Sequence, residues 1–428
     1  MIQATAVQAM EDAVVATLIQ LIVIVLAARV AGGAARALRQ PRAVGEIVAG
    51  LLLGPSLLGA LFPAVSSAVF ANVAAPVMQI LSQIGLALLM FQIGITFEFG
   101  LLRHGRNKRA VAFVAVASIG APLATGLGVG WLTAPFMTDD GHALVYTLFV
   151  AVAFAITAVP VLGRILREYA LTHTETGVVA ISAAAANDVV GWVLLAGVAA
   201  YASSAFSPAH FAGQISGLAI LFLVFAWVGP PLVDRLMRKL PIVQGELPGT
   251  LLAVVLAGIF AAGICTQKLG IFVIFGGFLL GLLFHRHVAF VQAWHRQVGQ
   301  FVLVFFLPIF FTYTGLRTNI LGLDSAAKWA VCLGIVLAAT LAKFVPVYVA
   351  SRLAGVQPHE ARILGVLMNT RALMELIVLN IGFSLGFIPQ DMFTMLVIMA
   401  VATTVMTGPL LQSLLRATGY RRGALVDA

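Results

Sequence analysis

Long apolar runs separated by short polar connections extend along this chain almost to its end. A helix needs roughly 20 apolar residues to cross about 30 Å of hydrocarbon, and runs near this length recur throughout. The pattern predicts an all-α polytopic membrane protein with about thirteen transmembrane helices. The predicted spans are approximately residues 13–30, 43–61, 77–98, 110–133, 143–163, 177–202, 213–233, 248–266, 269–284, 299–316, 327–351, 361–387 and 391–415.

Composition supports the same interpretation. Of the 428 residues, 61% are hydrophobic and 10% are charged, and the mean hydropathy is +1.06. Soluble domains carry roughly a quarter charged residues, so an ordinary water-soluble fold is excluded. The spans leave no room for a large extramembrane domain, which predicts a single membrane domain over residues 1–428.

The 25 Lys and Arg residues are unevenly distributed among the predicted loops. Most follow odd-numbered spans, whereas loops after even-numbered spans hold Lys268, Arg317 and Lys328. The positive-inside rule then predicts an outside N-terminus and a cytoplasmic C-terminus in a bacterial-type inner membrane. The first span lacks a preceding basic region, which favours a retained helix over a cleaved signal peptide. The net charge of +9 thus reflects basic loops near lipid headgroups and not nucleic-acid binding.

Ionisable side chains within the spans are few, and each is costly in the bilayer. Glu46 and Glu98 lie near predicted interfaces, where a structural or capping role is at least as reasonable as transport. The remaining four lie deeper and are the candidates for function or its support. They are Asp188 in the sixth span, Lys343 in the eleventh, and Arg371 and Glu375 in the twelfth.

The fifth span contains the sequence from Phe154 to Pro160, FAITAVP. Proline inside a helix removes a backbone hydrogen bond and clashes with the preceding turn, so we expect a broken helix at membrane depth. Unwound backbone is tolerated there when it is buried or lines a cavity, and its free carbonyl groups can coordinate ions. The alternative is a kinked helix in which the Thr157 hydroxyl bonds its own backbone.

The twelfth span contains a polar segment, residues 369–375, NTRALME. Arg371 and Glu375 are four residues apart, so on a helix they share a face and can form an internal ion pair. If the helix is interrupted, the pair instead braces the break. Structural support is the favoured role, and direct proton or cation exchange on Glu375 is the alternative.

The fifth and twelfth spans are seven spans apart and therefore have opposite orientations. Spans 1–6 and 8–13 are predicted to form two inverted repeats, connected by the seventh span at about 213–233. Two interrupted segments in corresponding positions are the sequence feature that best indicates a transport site at the membrane midplane.

Asp188 is the first candidate for the ligand of a transported ion. It follows Asn187 in a span rich in small residues, which allows neighbouring helices to pack closely around one carboxylate. Desolvation disfavours the charged form of a carboxyl group, so such a group can alternate between a proton and a cation near neutral pH. Asn187, Thr157, carbonyl groups and water can complete an oxygen shell for an alkali cation. The alternative is a buried aspartate that only connects helices.

Several segments resemble the monovalent cation:proton antiporter superfamily, with its sodium/hydrogen exchanger fold, and within it the branch of cation/H+ exchangers and Kef-type systems. The resemblance covers nearly the whole chain. The matching segments are Gln40–Gly50, QPRAVGEIVAG, then Leu53–Ser56, Ala155–Arg164, Asn187–Asp188, Gly315–Thr318 and Asn369–Asn380, NTRALMELIVLN.

The resemblance implies two crossed broken helices in a core ion-transport part, at about 110–202 and 327–415. A dimerisation part at about 13–98 and 248–316 would form a homodimer. Asp188 would be the essential ion-binding residue, and Asn187 matches the electroneutral pattern. Lys343 stands where two-aspartate relatives have a lysine that pairs with the first aspartate, which is asparagine here. Little sequence follows Leu415, so we expect no C-terminal regulatory domain.

The function predicted from these residues is secondary antiport of Na+ or K+ against H+, with Asp188 shared by proton and cation. One alternative is a Kef-like K+ efflux pathway with channel-like conduction. Another is an organic-anion transporter on a related inverted-repeat fold, with helix N-termini binding the substrate. No nucleophile–base set, zinc-type spacing or phosphate-binding loop is apparent, so we expect neither an enzyme nor a cofactor.

Overall fold

The computed structural model describes residues 2–38, 40, 42–70, 75–96, 108–138, 140–172, 174–203, 208–242, 244–269, 272–371 and 373–417. Glu98, one of the ionisable residues predicted near an interface, lies outside these ranges. Among the described residues, every secondary-structure element is a helix.

The helices follow the apolar runs of the sequence. In chain order they are α1 (Ile2–Ala37), α2 (Arg42–Leu53), α3 (Leu58–Leu61), α4 (Pro63–Phe70), α5 (Ala75–Ile95), α6 (Lys108–Met137), α7 (Ala143–Ala155), α8 (Val159–Glu168), α9 (Glu175–Ser203), α10 (Pro208–Trp227), α11 (Gly229–Lys239), α12 (Gly249–Lys268), α13 (Val273–Phe284), α14 (Val288–Trp294), α15 (Leu307–Arg317), α16 (Ala326–Leu353), α17 (Pro358–Met368), α18 (Leu373–Ser384) and α19 (Gln390–Ala417). Two π-helical turns, His295–Gly299 and Val302–Phe306, lie between α14 and α15.

Ten helical segments among the described residues are long and apolar enough to cross a membrane, or eleven if a pair bent by 40° at residue 228 counts as one span. The predicted count of thirteen is therefore not confirmed. With the bent pair counted as the seventh span, the difference lies in the fifth and ninth predicted spans, where α7 and α13 have 13 and 12 residues. At 1.5 Å per residue, each is too short to cross about 30 Å of hydrocarbon unaided.

The chain divides into two compact units, which we call the first and second units. The first unit comprises Met1–Arg29, Ala49–Glu98 and Ala199–Arg317, and the second comprises Val30–Val48, Phe99–Val198 and Thr318–Ala428.

Two glycines in the segments that carry the family resemblance, Gly50 and Gly315, explain one close helix contact within the first unit. A methyl group on Gly50 would overlap the carbonyl group of Phe311, and one on Gly315 would overlap that of Gly50. The backbones of α2 and α15 therefore touch directly, as small residues allow in membrane proteins.

The second unit contains two interrupted helices. The first ends at Ala155 and resumes at Val159, with Ile156 in an extended conformation (φ −69°, ψ 144°). Pro160 lies in the first turn of α8, where its missing N–H costs no helical hydrogen bond. The second helix ends at Met368 and resumes at Leu373. Both interruptions fall within the segments predicted to be broken. The inverted-repeat relationship between them stays a prediction.

Candidate functional site

The predicted site residues come together inside the second unit. The unit places Thr157 in the first helix break, Asn187 and Asp188 in the middle of α9, and Lys343 in α16. A residue that the sequence did not single out, Ser118 of α6, contacts two of them.

Asp188 is buried without a hydrogen bond to its carboxylate among the described residues. It is 1% exposed, and neither oxygen of its carboxylate accepts a hydrogen bond from any residue that the structure describes. A buried carboxylate without hydrogen bonds is strongly unfavourable unless it binds a proton or a cation. Within the described residues, the Asp188 carboxylate therefore lacks the hydrogen bonds that a buried charge normally has.

Asn187 is positioned by two hydroxyl groups. Its amide nitrogen donates hydrogen bonds to Ser118 Oγ at 2.9 Å and to Thr157 Oγ1 at 3.2 Å. These two bonds occupy both N–H groups of the amide, because an asparagine side chain carries two donors. They connect α9 to α6 and to the first break, and so fix the part of α9 that carries Asp188.

Thr157 lies in the break and is fully buried. Its hydroxyl oxygen accepts hydrogen bonds from Lys343 Nζ at 2.7 Å and from Asn187 Nδ2 at 3.2 Å. A hydroxyl oxygen has two lone pairs, so both are engaged in this conformation. Thr157 can ligate a cation only after one of these donors withdraws.

Because residue 187 is an asparagine, Lys343 has no carboxylate partner at that position and donates to neutral oxygens instead. Its ammonium group donates to Ser118 O at 2.8 Å, Ala155 O at 2.6 Å and Thr157 Oγ1 at 2.7 Å. An ammonium group has three donors, so its hydrogen-bonding capacity is filled. The carbonyl group of Ala155 ends a helix and lacks an intrahelical partner, which makes it a favourable acceptor for a cation.

Arg371 lies in the second break and caps the same helix end. Its Nη1 donates to Ala153 O at 3.0 Å, and its Nη2 donates to Ala339 O of α16 at 3.3 Å. Nη1 also lies 3.8 Å from Glu375 Oε2, beyond hydrogen-bond distance but within ion-pair range. Both side chains are completely buried. Arg371 therefore lies in the interruption, whereas Glu375 lies in the first turn of α18.

Glu46, the other described residue from the sequence list of ionisable groups, lies in α2 and is 9% exposed. Ser118 had no signal in the sequence, because isolated serines are common in membrane helices and only its contacts reveal its place. The same holds for the carbonyl groups of Ala153 and Ala155, which belong to apolar residues.

An all-α multi-pass membrane protein with two interrupted helices and buried charges at their breaks belongs to the class of secondary transporters. A family model described as "Sodium/hydrogen exchanger, transmembrane" matches residues 22–417. The chain belongs to the sodium/hydrogen exchanger family, which consists of transporters and not of enzymes.

Named relatives agree with this assignment. The Na(+)/H(+) antiporter NhaS4 of Synechocystis sp. is 35% identical over 395 residues, covering 92% of this chain and 95% of the relative. Cation/H(+) antiporter 17 of Arabidopsis thaliana is 34% identical over 94% of this chain, which spans about half, 48%, of that relative.

A solved structure shares the fold. The sodium proton antiporter MjNhaP1 from Methanocaldococcus jannaschii, determined at pH 8, matches with a TM-score of 0.64 and 15% sequence identity. The match covers 92% of this chain and 98% of that structure.

Proposed function

We propose that this protein exchanges a monovalent cation, Na+ or K+, for protons across the membrane, with Asp188 as the shared binding residue. The observation that carries the proposal is the fully buried carboxylate of Asp188, whose oxygens have no hydrogen-bond donor among the described residues. Membership of the sodium/hydrogen exchanger family and the names of the relatives support exchange as the activity.

Competition for one carboxylate couples the two ions. A proton bound to Asp188 must leave before an alkali cation takes the same oxygens, and the reverse holds on the other side of the membrane. Each exchange removes one positive charge from the site and adds one, so transport is electroneutral. Asn187 contributes polarity without a titratable group, which keeps the count at one carboxylate.

Binding of a cation at Asp188 requires a rearrangement of the hydrogen bonds at the neighbouring Thr157 hydroxyl. Alkali and other hard cations take oxygen ligands, and Asp188 with water supplies the first of them. Thr157 completes the shell when the Asn187 amide or the Lys343 ammonium releases its hydroxyl oxygen. Lys343, Arg371 and Glu375 are supporting residues in this mechanism. The side chains of Lys343 and Arg371 donate to carbonyl groups at the end of α7, and the carboxylate of Glu375 compensates the charge of Arg371.

All these residues belong to the second unit, which supports a core ion-transport role for about 110–202 and 327–415. The parts at about 13–98 and 248–316 serve as the dimerisation part of a homodimer, with 213–233 as the connector. Alternating access results from movement of the core against that part. The protein lies in a bacterial-type inner membrane with its N-terminus outside and its C-terminus cytoplasmic.

Reconstituted liposomes containing a pH-sensitive dye test this function. Addition of Na+ or K+ should drive proton movement in the wild type, and Asp188→Asn should abolish the flux of both cation and proton while leaving a folded protein. A control with an equimolar choline salt removes effects of ionic strength. Cation flux without proton movement would indicate channel-like conduction, and exchange by a verified Asp188→Asn protein would exclude Asp188 as the binding residue.

A further inference from the structure

The second helix break carries a further group of buried oxygens without hydrogen bonds. Within the described part of the chain, no hydrogen bond is made by either carboxylate oxygen of Glu375, by the hydroxyl of Thr370 or by the side-chain oxygen of Asn369. Glu375 and Thr370 are 0% exposed and Asn369 is 3% exposed. Buried polar atoms are normally satisfied, so four such oxygens within seven residues require an explanation.

Arg371 does not provide that explanation, because its own hydrogen bonds go elsewhere. Its two terminal nitrogens donate to the carbonyl groups of Ala153 and Ala339, and its nearest approach to Glu375 is 3.8 Å. The guanidinium group lowers the electrostatic cost of a buried carboxylate without supplying it a hydrogen bond. The oxygens of Glu375 remain open to another ligand.

The number and type of these oxygens indicate the ligand. A proton needs only one oxygen, whereas an alkali cation takes several oxygen ligands of mixed carboxylate, hydroxyl and carbonyl type. The first turn of α18 and the end of α17 bring those three types to one break. Building on the proposed exchange at Asp188, we propose that the second break is a separate alkali-cation site formed by Glu375, Thr370 and Asn369.

A backbone hydrogen bond connects the two breaks directly, so the proposed second site lies next to the first break. The backbone N–H of Ala158 donates to the carbonyl oxygen of Thr370 at 3.1 Å. That carbonyl group faces the first break, and the Thr370 side-chain oxygen takes no part in the bond. Occupation of the second site therefore stabilises the junction without using the oxygens of Asp188.

Thermal unfolding of the purified full-length protein tests the proposal with Na+ and K+ as probes, each against equimolar choline. A ligand that binds only the folded state raises the melting temperature, and the rise grows with the logarithm of the ligand concentration above its Kd. Asp188→Asn should retain part of the cation-specific rise seen in the wild type. Adding Glu375→Gln to it should abolish the rise, and adding Thr370→Ala should reduce it. Adding Glu46→Gln, a change of another buried glutamate, should leave it intact.

A folded Asp188→Asn protein with no cation-specific rise would overturn the second site, as would a rise that survives the Glu375→Gln addition. If the double variant does not fold, the Asp188→Asn and Thr370→Ala pair decides between the outcomes. Absence of coupled cation and proton flux in liposomes containing the wild type would instead overturn the proposed exchange. Failure of the second site and failure of the exchange are therefore distinguishable.

Discussion

The backbone N–H of Ala158 lies 3.1 Å from the carbonyl oxygen of Thr370 and donates a hydrogen bond to it. Residues more than two hundred positions apart in the chain thereby join the two helix breaks. Backbone groups left free by an interruption must find partners when they are buried. Each break supplies one partner to the other, so the interruptions are mutually stabilising.

Removal of the buried ammonium group should destabilise this junction. Lys343→Met leaves three acceptors without their donor, two at the first break and one in α6, and hydrogen bonds to charged groups contribute about 1.5–3 kcal/mol each. We expect a loss of at least about 2 kcal/mol, measured as a lower melting temperature in detergent.

Lys328 provides a matched control on the same helix. Its ammonium group also has three partners, Asp324 at 3.1 Å, Asp391 at 2.9 Å and Gly322 O at 3.0 Å, but its side chain is 32% exposed. Solvent screens such pairs, so Lys328→Met should lower the melting temperature less than Lys343→Met does. Equal losses for the two variants would contradict the structural role assigned to Lys343.

Ser118→Ala should impair exchange by releasing Asn187. The change removes the oxygen that accepts one amide N–H at 2.9 Å, and an unsatisfied buried donor costs about 1–3 kcal/mol. Proteoliposome assays should show a lower exchange rate. Thr125→Ala is the control, since Thr125 lies on the same helix and bonds the Ala121 carbonyl of its own turn at 2.9 Å. A comparable loss in both variants would indicate a general defect of α6.

Gly315→Ala should disrupt the contact of α2 with α15. The added methyl group would overlap the Gly50 backbone, and overpacking typically costs about 1–3 kcal/mol. Gly334→Ala in α16 meets nothing within 4 Å and should leave the melting temperature unchanged or raise it slightly, because alanine favours helix. A stable Gly315→Ala protein would show that these helices can separate without loss.

Exchange should respond little to membrane potential. One net charge is worth about 2.3 kcal/mol per 100 mV, so even one uncompensated charge per cycle would bias transport by more than about tenfold at 100 mV. Liposomes clamped with an ionophore measure this directly. Asn187→Asp would add a second carboxylate beside the Lys343 network and should introduce voltage sensitivity. Generation of a potential by the wild type would show that a second group carries charge.

The sequence alone determined the class of this protein and the location of its unusual segments. Apolar run length and the scarcity of charge predict membrane helices, because hydrophobic burial and helix geometry are local properties. The proline in FAITAVP predicted the first interruption, and the polar segment at 369–375 located the second without deciding whether the helix is broken there. Asp188 was identifiable because a carboxylate in an apolar run is energetically exceptional.

Only the tertiary structure decided how the buried charges are compensated. Lys343 bonds Ser118 and Ala155, which are 225 and 188 residues away, and Arg371 bonds Ala153 at a separation of 218 residues. The acceptors are mostly backbone carbonyl groups, which every residue carries, so no side-chain pattern distinguishes them. Those of Ala153 and Ala155 are available because α7 ends there and other elements pack against that end. Local composition does not specify that long-range packing, and for this reason the sequence located the charges without identifying their partners.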